Sequence, residues 1–70
     1  MSNYKITVPA PMIEVGHRVN DSMIISRADR TPDGRYYFEM SYEYAFGKAK
    51  VCEIELHADG VLTYDVEVED

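Results

Sequence analysis

Residues 35–46 read RYYFEMSYEYAF, from Arg35 to Phe46. Every even position is aromatic or methionine: Tyr36, Phe38, Met40, Tyr42, Tyr44 and Phe46. The odd positions include Arg35, Glu39, Ser41 and Glu43. Period-two alternation in residues that suit a pleated surface specifies a β-strand with one face in a core and the other in water. Such a strand needs partners on both sides, and the flanking sequence supplies candidates.

Upstream, Thr31-Pro32-Asp33-Gly34-Arg35 has the residues of a three-residue hairpin loop: Pro first in a type I turn, Asp second, and Gly in the left-handed position that follows. This turn opposes Thr31 to Arg35, and therefore Ala28 to Phe38, Ile24 to Tyr42 and Arg27 to Glu39. A strand over 22–30 then points Ile24, Ser26 and Ala28 inward and Met23, Ile25, Arg27 and Asp29 outward. Asn20-Asp21 reads as a two-residue turn that opposes Val19 to Ser22. It leads back to a strand over 12–19, with Ile13, Val15, His17 and Val19 inward and Gly16 as a candidate bulge. Pro9-Ala10-Pro11 separates this from a short strand over 3–8 carrying Tyr4, Ile6 and Val8.

Downstream, Gly47 marks a reversal into a strand over 49–57 whose inward residues are Cys52, Ile54 and Leu56. The expected register sets Met40 opposite Ile54 and Phe38 opposite Leu56. Ala58-Asp59-Gly60 repeats the turn chemistry of residues 32–34 and predicts a hairpin with a last strand over 61–69, which buries Leu62, Tyr64, Val66 and Val68. No segment has helical periodicity. The expectation is one all-β domain over 1–70: a single antiparallel meander of five to six strands, curled or closed into a small barrel.

Residues 13–19, Ile-Glu-Val-Gly-His-Arg-Val, followed by Met23-Ile24-Ile25-Ser26-Arg27, resemble the opening strand pair of SH3-like small barrels, which often read V-G-D-R-V. Where such families carry an acid, this chain has His17. The resemblance implies a small barrel and a binding role, and it supplies no ligand.

At 70 residues the chain is near the size at which a lone core stabilises by only roughly 3–5 kcal/mol. Cys52 is the sole cysteine, and no Cys/His set has zinc-ligand spacing. Homo-oligomerisation is the remaining common aid to stability. The N-terminal residues lack the pattern of a signal peptide and no stretch is apolar enough to span a bilayer, so a cytoplasmic location is expected. Net charge is −6. All seven basic residues lie within 1–50, whereas 51–70 hold seven acids and no base. That distribution repels nucleic acid and anionic membrane and attracts a protein partner with a basic surface.

The outward positions carry the functional expectation. Glu39, Glu53, Glu55, Asp65 and Glu67, with Glu43 further along, would form a one-signed acidic face. Met23, Ile25 and Tyr37 would supply an apolar anchor beside it, since aromatics and Met are enriched in interface cores. The competing reading is a solvated face that deters aggregation. A metal or catalytic set of Glu53, Glu55, His57 and Asp65 is weaker, because a flat sheet face neither excludes water nor shifts pKa values. No catalytic or cofactor motif is present. The chain thus reads as a non-enzymatic acidic binding protein that docks on or blocks a basic surface, in the manner of a phage-type inhibitor or nucleic-acid mimic. The alternative is a homodimeric or larger structural assembly joined through an apolar sheet face.

Overall fold

A computed structural model describes residues 2–42 and 50–68. The order of elements is β1 (Ser2–Pro9), a 3-10 turn (Ala10–Met12), β2 (Met23–Arg30), β3 (Tyr36–Tyr42), β4 (Lys50–Leu56) and β5 (Val61–Val68). The fold is all-β and antiparallel, as the alternation requires. It is divided into two sheets, β2-β3-β4 and β1-β5, and these do not close into a barrel. Tyr44 and Phe46, together with Glu43, lie outside the described residues.

The hairpin at 31–35 forms as its residues dictate. Thr31 N–H donates to the Arg35 carbonyl at 3.0 Å and Gly34 N–H to the Thr31 carbonyl at 3.1 Å. Gly34 sits at φ +87°, the left-handed conformation that costs glycine least. Asp33 accepts from the Thr31 hydroxyl, and that contact, reinforced by Arg35, holds its carboxyl below the usual carboxylate range. The expected pairs Ala28 with Phe38 and Arg27 with Glu39 are present.

Beyond Arg27 the register departs from expectation. A bulge at Ser26 shifts the pairing, so that Ile25 opposes Met40 and Ile24 opposes Ser41, not Tyr42. The bulge is tied by a hydroxyl relay: Ser41 Oγ donates to Ser26 Oγ at 2.9 Å, and Ser26 Oγ donates to the Glu39 carbonyl at 3.1 Å. The relay satisfies Ser41, which is buried. The consequence is a reversal of faces: Ile25 is 0% exposed and sits at the centre of the core. The expectation of an outward Ile25 is therefore corrected.

Upstream of β2, no strand forms over 12–19. The 3-10 turn and an irregular segment lie along the edge of β2, with Gly16 N–H on the Ile25 carbonyl and Ile25 N–H on the His17 carbonyl, both at 2.9 Å. Asn20 Oδ1 accepts from both Ser22 N–H and Met23 N–H at 2.9 Å, a side-chain turn that replaces the expected two-residue one. It lets Val19 N–H reach the Met23 carbonyl, one residue beyond the expected partner Ser22. A one-residue slip exchanges faces. Ile13 and Val19 are buried as expected, but Val15 is 61% exposed.

The β3–β4 register is two residues from that expected: Phe38 opposes Ile54, Met40 opposes Cys52, and Glu39 opposes Glu53. An even slip preserves the faces, so Cys52, Ile54 and Leu56 still point to the core. The larger correction concerns β5. The turn at 57–60 closes with Gly60 N–H on the His57 carbonyl at 2.8 Å, but Gly60 lacks positive φ and the chain crosses to the other sheet. There β5 pairs with β1, from Ser2–Val68 to Pro9–Val61, and not with β4. Tyr64 is buried from this second layer, with Leu62 and Val66 packed beside it.

The core comprises Ala10, Ile13, Val19, Ile25, Phe38, Met40 and Tyr64. It is shallow: the molecule measures 43 × 29 × 14 Å, and its 12.6 Å radius of gyration exceeds the roughly 11 Å typical of this length.

Candidate partner-docking site

The outer face of β2-β3-β4 brings together one part of the expected constellation. Register alone places Glu39 directly opposite Glu53, and Tyr37 opposite Glu55 on one side and Asp29 on the other. Like charges in directly opposed positions destabilise a sheet. Tyr37 bridges them: its hydroxyl lies 2.6 Å from Glu53 Oε2 and 2.8 Å from Glu39 Oε1. A phenol has a single proton to donate, so two carboxylates converge on one donor. The hydrogen bond to Glu53, then that to Glu39, pushes the phenol's ionisation far above its ordinary value, because a phenolate there would be a third negative charge.

Among the described residues, Arg27 and Arg35 border this group. Arg27 opposes Glu39 in register but turns its Nε to Asp29 Oδ2 at 2.5 Å. Arg35 lies 3.4 Å from Asp33 and 3.7 Å from Glu55. Four carboxylates of Asp29, Glu39, Glu53 and Glu55 thus face two guanidinium groups. The sequence reading recognised Arg27 and missed Arg35, whose place between the hairpin turn and the start of β3, two residues before Tyr37, was the signal for it. It also treated Tyr37 as an apolar anchor. Its position at i−2 from Glu39 on one strand face was the indication that its hydroxyl would reach the acids.

The remaining expected members are elsewhere. Asp65 opposes Lys5 and Glu67 opposes Asn3 in the β1-β5 sheet, so neither joins Glu53. Asp65 N–H donates to the Val19 carbonyl at 2.7 Å and ties β5 to the irregular segment. Ile25 is buried, and Met23 is half-buried opposite Tyr42. Glu43 lies outside the described residues. Among the described residues no group of three or more His, Cys, Asp and Glu side chains is placed to hold a metal ion, and no helix is long and apolar enough to cross a membrane.

His17 is half-buried where the irregular segment meets β5. Its Nδ1 lies 3.0 Å from the Tyr64 hydroxyl and accepts from Glu14 N–H at 3.3 Å, which places its own proton on Nε2, near Glu14 Oε2 at 3.7 Å. Burial, followed by the charge of Glu14, raises the Tyr64 phenol above its ordinary value. This is a structural link between β5 and the irregular segment.

Comparison with models of known families, with curated proteins and with solved structures gives no match for this chain.

Proposed function

We propose that the chain is a non-enzymatic binding protein whose acidic outer face, Tyr37, Glu39, Glu53 and Glu55, docks on a basic surface of a partner protein. The observation that carries this reading is the pair Glu39–Glu53, held directly opposed and sharing one hydroxyl donor. A sheet selected only for solubility would intersperse lysines among its acids. Here the carboxylates of Asp29, Glu39, Glu53 and Glu55 share one face, and a guanidinium or ammonium arriving from outside is attracted to it. Tyr37 holds the two carboxylates in place before the partner arrives, which lowers the ordering cost of binding. Inhibition by occupying a basic surface, including one that otherwise holds nucleic acid, and a cytoplasmic location belong to the same proposal. Nucleic acid and membrane are not partners on this reading.

Reversing two charges tests it. Glu53→Lys with Glu55→Lys should abolish binding to a basic partner while the circular dichroism of the folded sheet is retained. Affinity that is unchanged at low salt would remove the electrostatic basis.

A second reading, a homo-oligomer, rests on a different observation. Tyr4 and Ile6 of β1 are 49% and 40% exposed on the face that elsewhere covers the core, and β1 ends its sheet. Light scattering after gel filtration decides it: a monomer at micromolar concentration excludes this reading.

A further inference from the structure

The open side of β4 extends the docking proposal, on which this inference rests. β2 is covered over Met23–Ile25 of its outer edge by residues 16–19, through the Gly16, His17 and Val19 hydrogen bonds and an Arg18–Ile24 bridge. On the opposite side β4 is the last strand of its sheet, and no strand among the described residues pairs with that edge.

Backbone geometry says which groups face outward there. In an antiparallel pair, opposed residues alternate between hydrogen-bonded and non-hydrogen-bonded positions. Thr31 N–H donates to the Arg35 carbonyl, so the odd residues of β3 that follow, Tyr37 and Glu39, direct their backbone groups to β2. The even residues of β3 then direct theirs to β4, where they meet Cys52, Ile54 and Leu56. Glu53 and Glu55 are left with N–H and C=O groups pointing away from β3; the alternation ends there, because the register shifts at Val51, between Cys52 and Lys50. The side chains of Glu53 and Glu55 are exposed on the outer face of this strand.

We infer that β4 accepts an extended segment of the partner as an added antiparallel strand, and that this segment reads basic-x-basic. Backbone and side-chain requirements coincide at the same positions. Residues that hydrogen-bond to Glu55 and Glu53 lie directly opposite them with side chains on the same face, so Lys or Arg at alternate positions meets both carboxylates. The intervening residues fall on the other face, beside half-buried Cys52 and Ile54, where β-branched apolar side chains add cover to a shallow core. A second copy of β4 is a poor occupant. In the register that overlaps the whole strand, centred on Glu53, it sets Glu53 against Glu53.

A synthetic peptide of alternating Lys and Val is the probe, in three forms: unmodified, N-methylated at its lysines, and N-methylated at its valines. Lysine amides would face β4, and valine amides would face away. The unmodified and valine-methylated peptides should bind alike and slow hydrogen exchange at the Glu53 and Glu55 amides. The lysine-methylated form should bind about tenfold or more weakly, the effect of losing two or more net hydrogen bonds. Equal, salt-sensitive binding of all three, with no protection of those amides, would overturn strand addition while leaving docking by charge intact. Failure of every form to bind at low salt would overturn both.

Discussion

Ile25 gives the sharpest test of how the chain folds, because the face it occupies depends on the Ser26 bulge and the one-residue shift at Asn20. It is fully buried, opposite Met40 and hydrogen-bonded through its backbone to Gly16 and His17. Removing one methylene with Ile25→Val should cost about 0.5–1.5 kcal/mol, and Ile25→Ala about 2–5 kcal/mol. A domain of this size has roughly 3.5–10 kcal/mol of total stability, so the alanine variant is expected to lose much of its folded population. The valine variant stays measurable, with a melting temperature lower by about 4–8 °C per kcal/mol. Urea denaturation followed by circular dichroism reads both. Met23→Ala, two residues away and half-buried, should cost less than Ile25→Ala. Were Ile25→Val and Ile25→Ala both as stable as the parent, Ile25 would lie on the outer face. The bulge, and with it the β2 register, would then be wrong.

Glu53→Gln should weaken binding to a basic partner while the sheet stays folded; a titration and a circular dichroism spectrum read the two. Tyr64→Phe should cost about 0.5–1.5 kcal/mol by urea denaturation, since the ring stays packed and only the hydroxyl contact with His17 is lost. Gly34→Ala should cost roughly 1–2 kcal/mol, because a Cβ there meets nothing within 4 Å and the penalty is that of φ +87° alone. Tyr37 ionises later in the folded protein than in the unfolded chain, so its contribution to stability is complete below the ordinary phenol pKa and is lost as pH rises through the raised value. Ultraviolet titration should show late-ionising tyrosines, the latest of which Tyr37→Phe removes while the raised Tyr64 remains.

The readable parts of the fold were those with local chemistry. Alternation identified Tyr36, Phe38 and Met40 of β3 and Cys52, Ile54 and Leu56 of β4 as inward; it failed at the end of β3, where Tyr42 is 52% exposed and Ser41 is buried. Pro-Asp-Gly set the 31–35 hairpin together with the Arg27–Glu39 pair. A period of two is blind to a two-residue slip, so Glu39 was placed opposite Glu55 when its partner is Glu53. A bulge leaves no mark on periodicity when both neighbouring residues are apolar, as Ile24 and Ile25 are. The turn at Ala58-Asp59-Gly60 matched the hairpin chemistry in composition but not in conformation, and so β5 went to the other sheet. That crossing removed Asp65 and Glu67 from the expected site. Tyr37, Glu39, Glu53 and Glu55 stayed together because they depend only on β3 and β4, whose faces survive an even slip.

The central claim is that one face, and not net charge at large, receives a basic partner. Amide NMR spectra recorded while oligolysine is added test it most directly. The account predicts that the largest shifts cluster at Tyr37, Glu39, Glu53 and Glu55, disappear at high salt, and are lost in the Glu53→Lys/Glu55→Lys variant. Shifts spread evenly over the acids of both sheets, with Asp59 and Asp65 responding as strongly as Glu53, would contradict it.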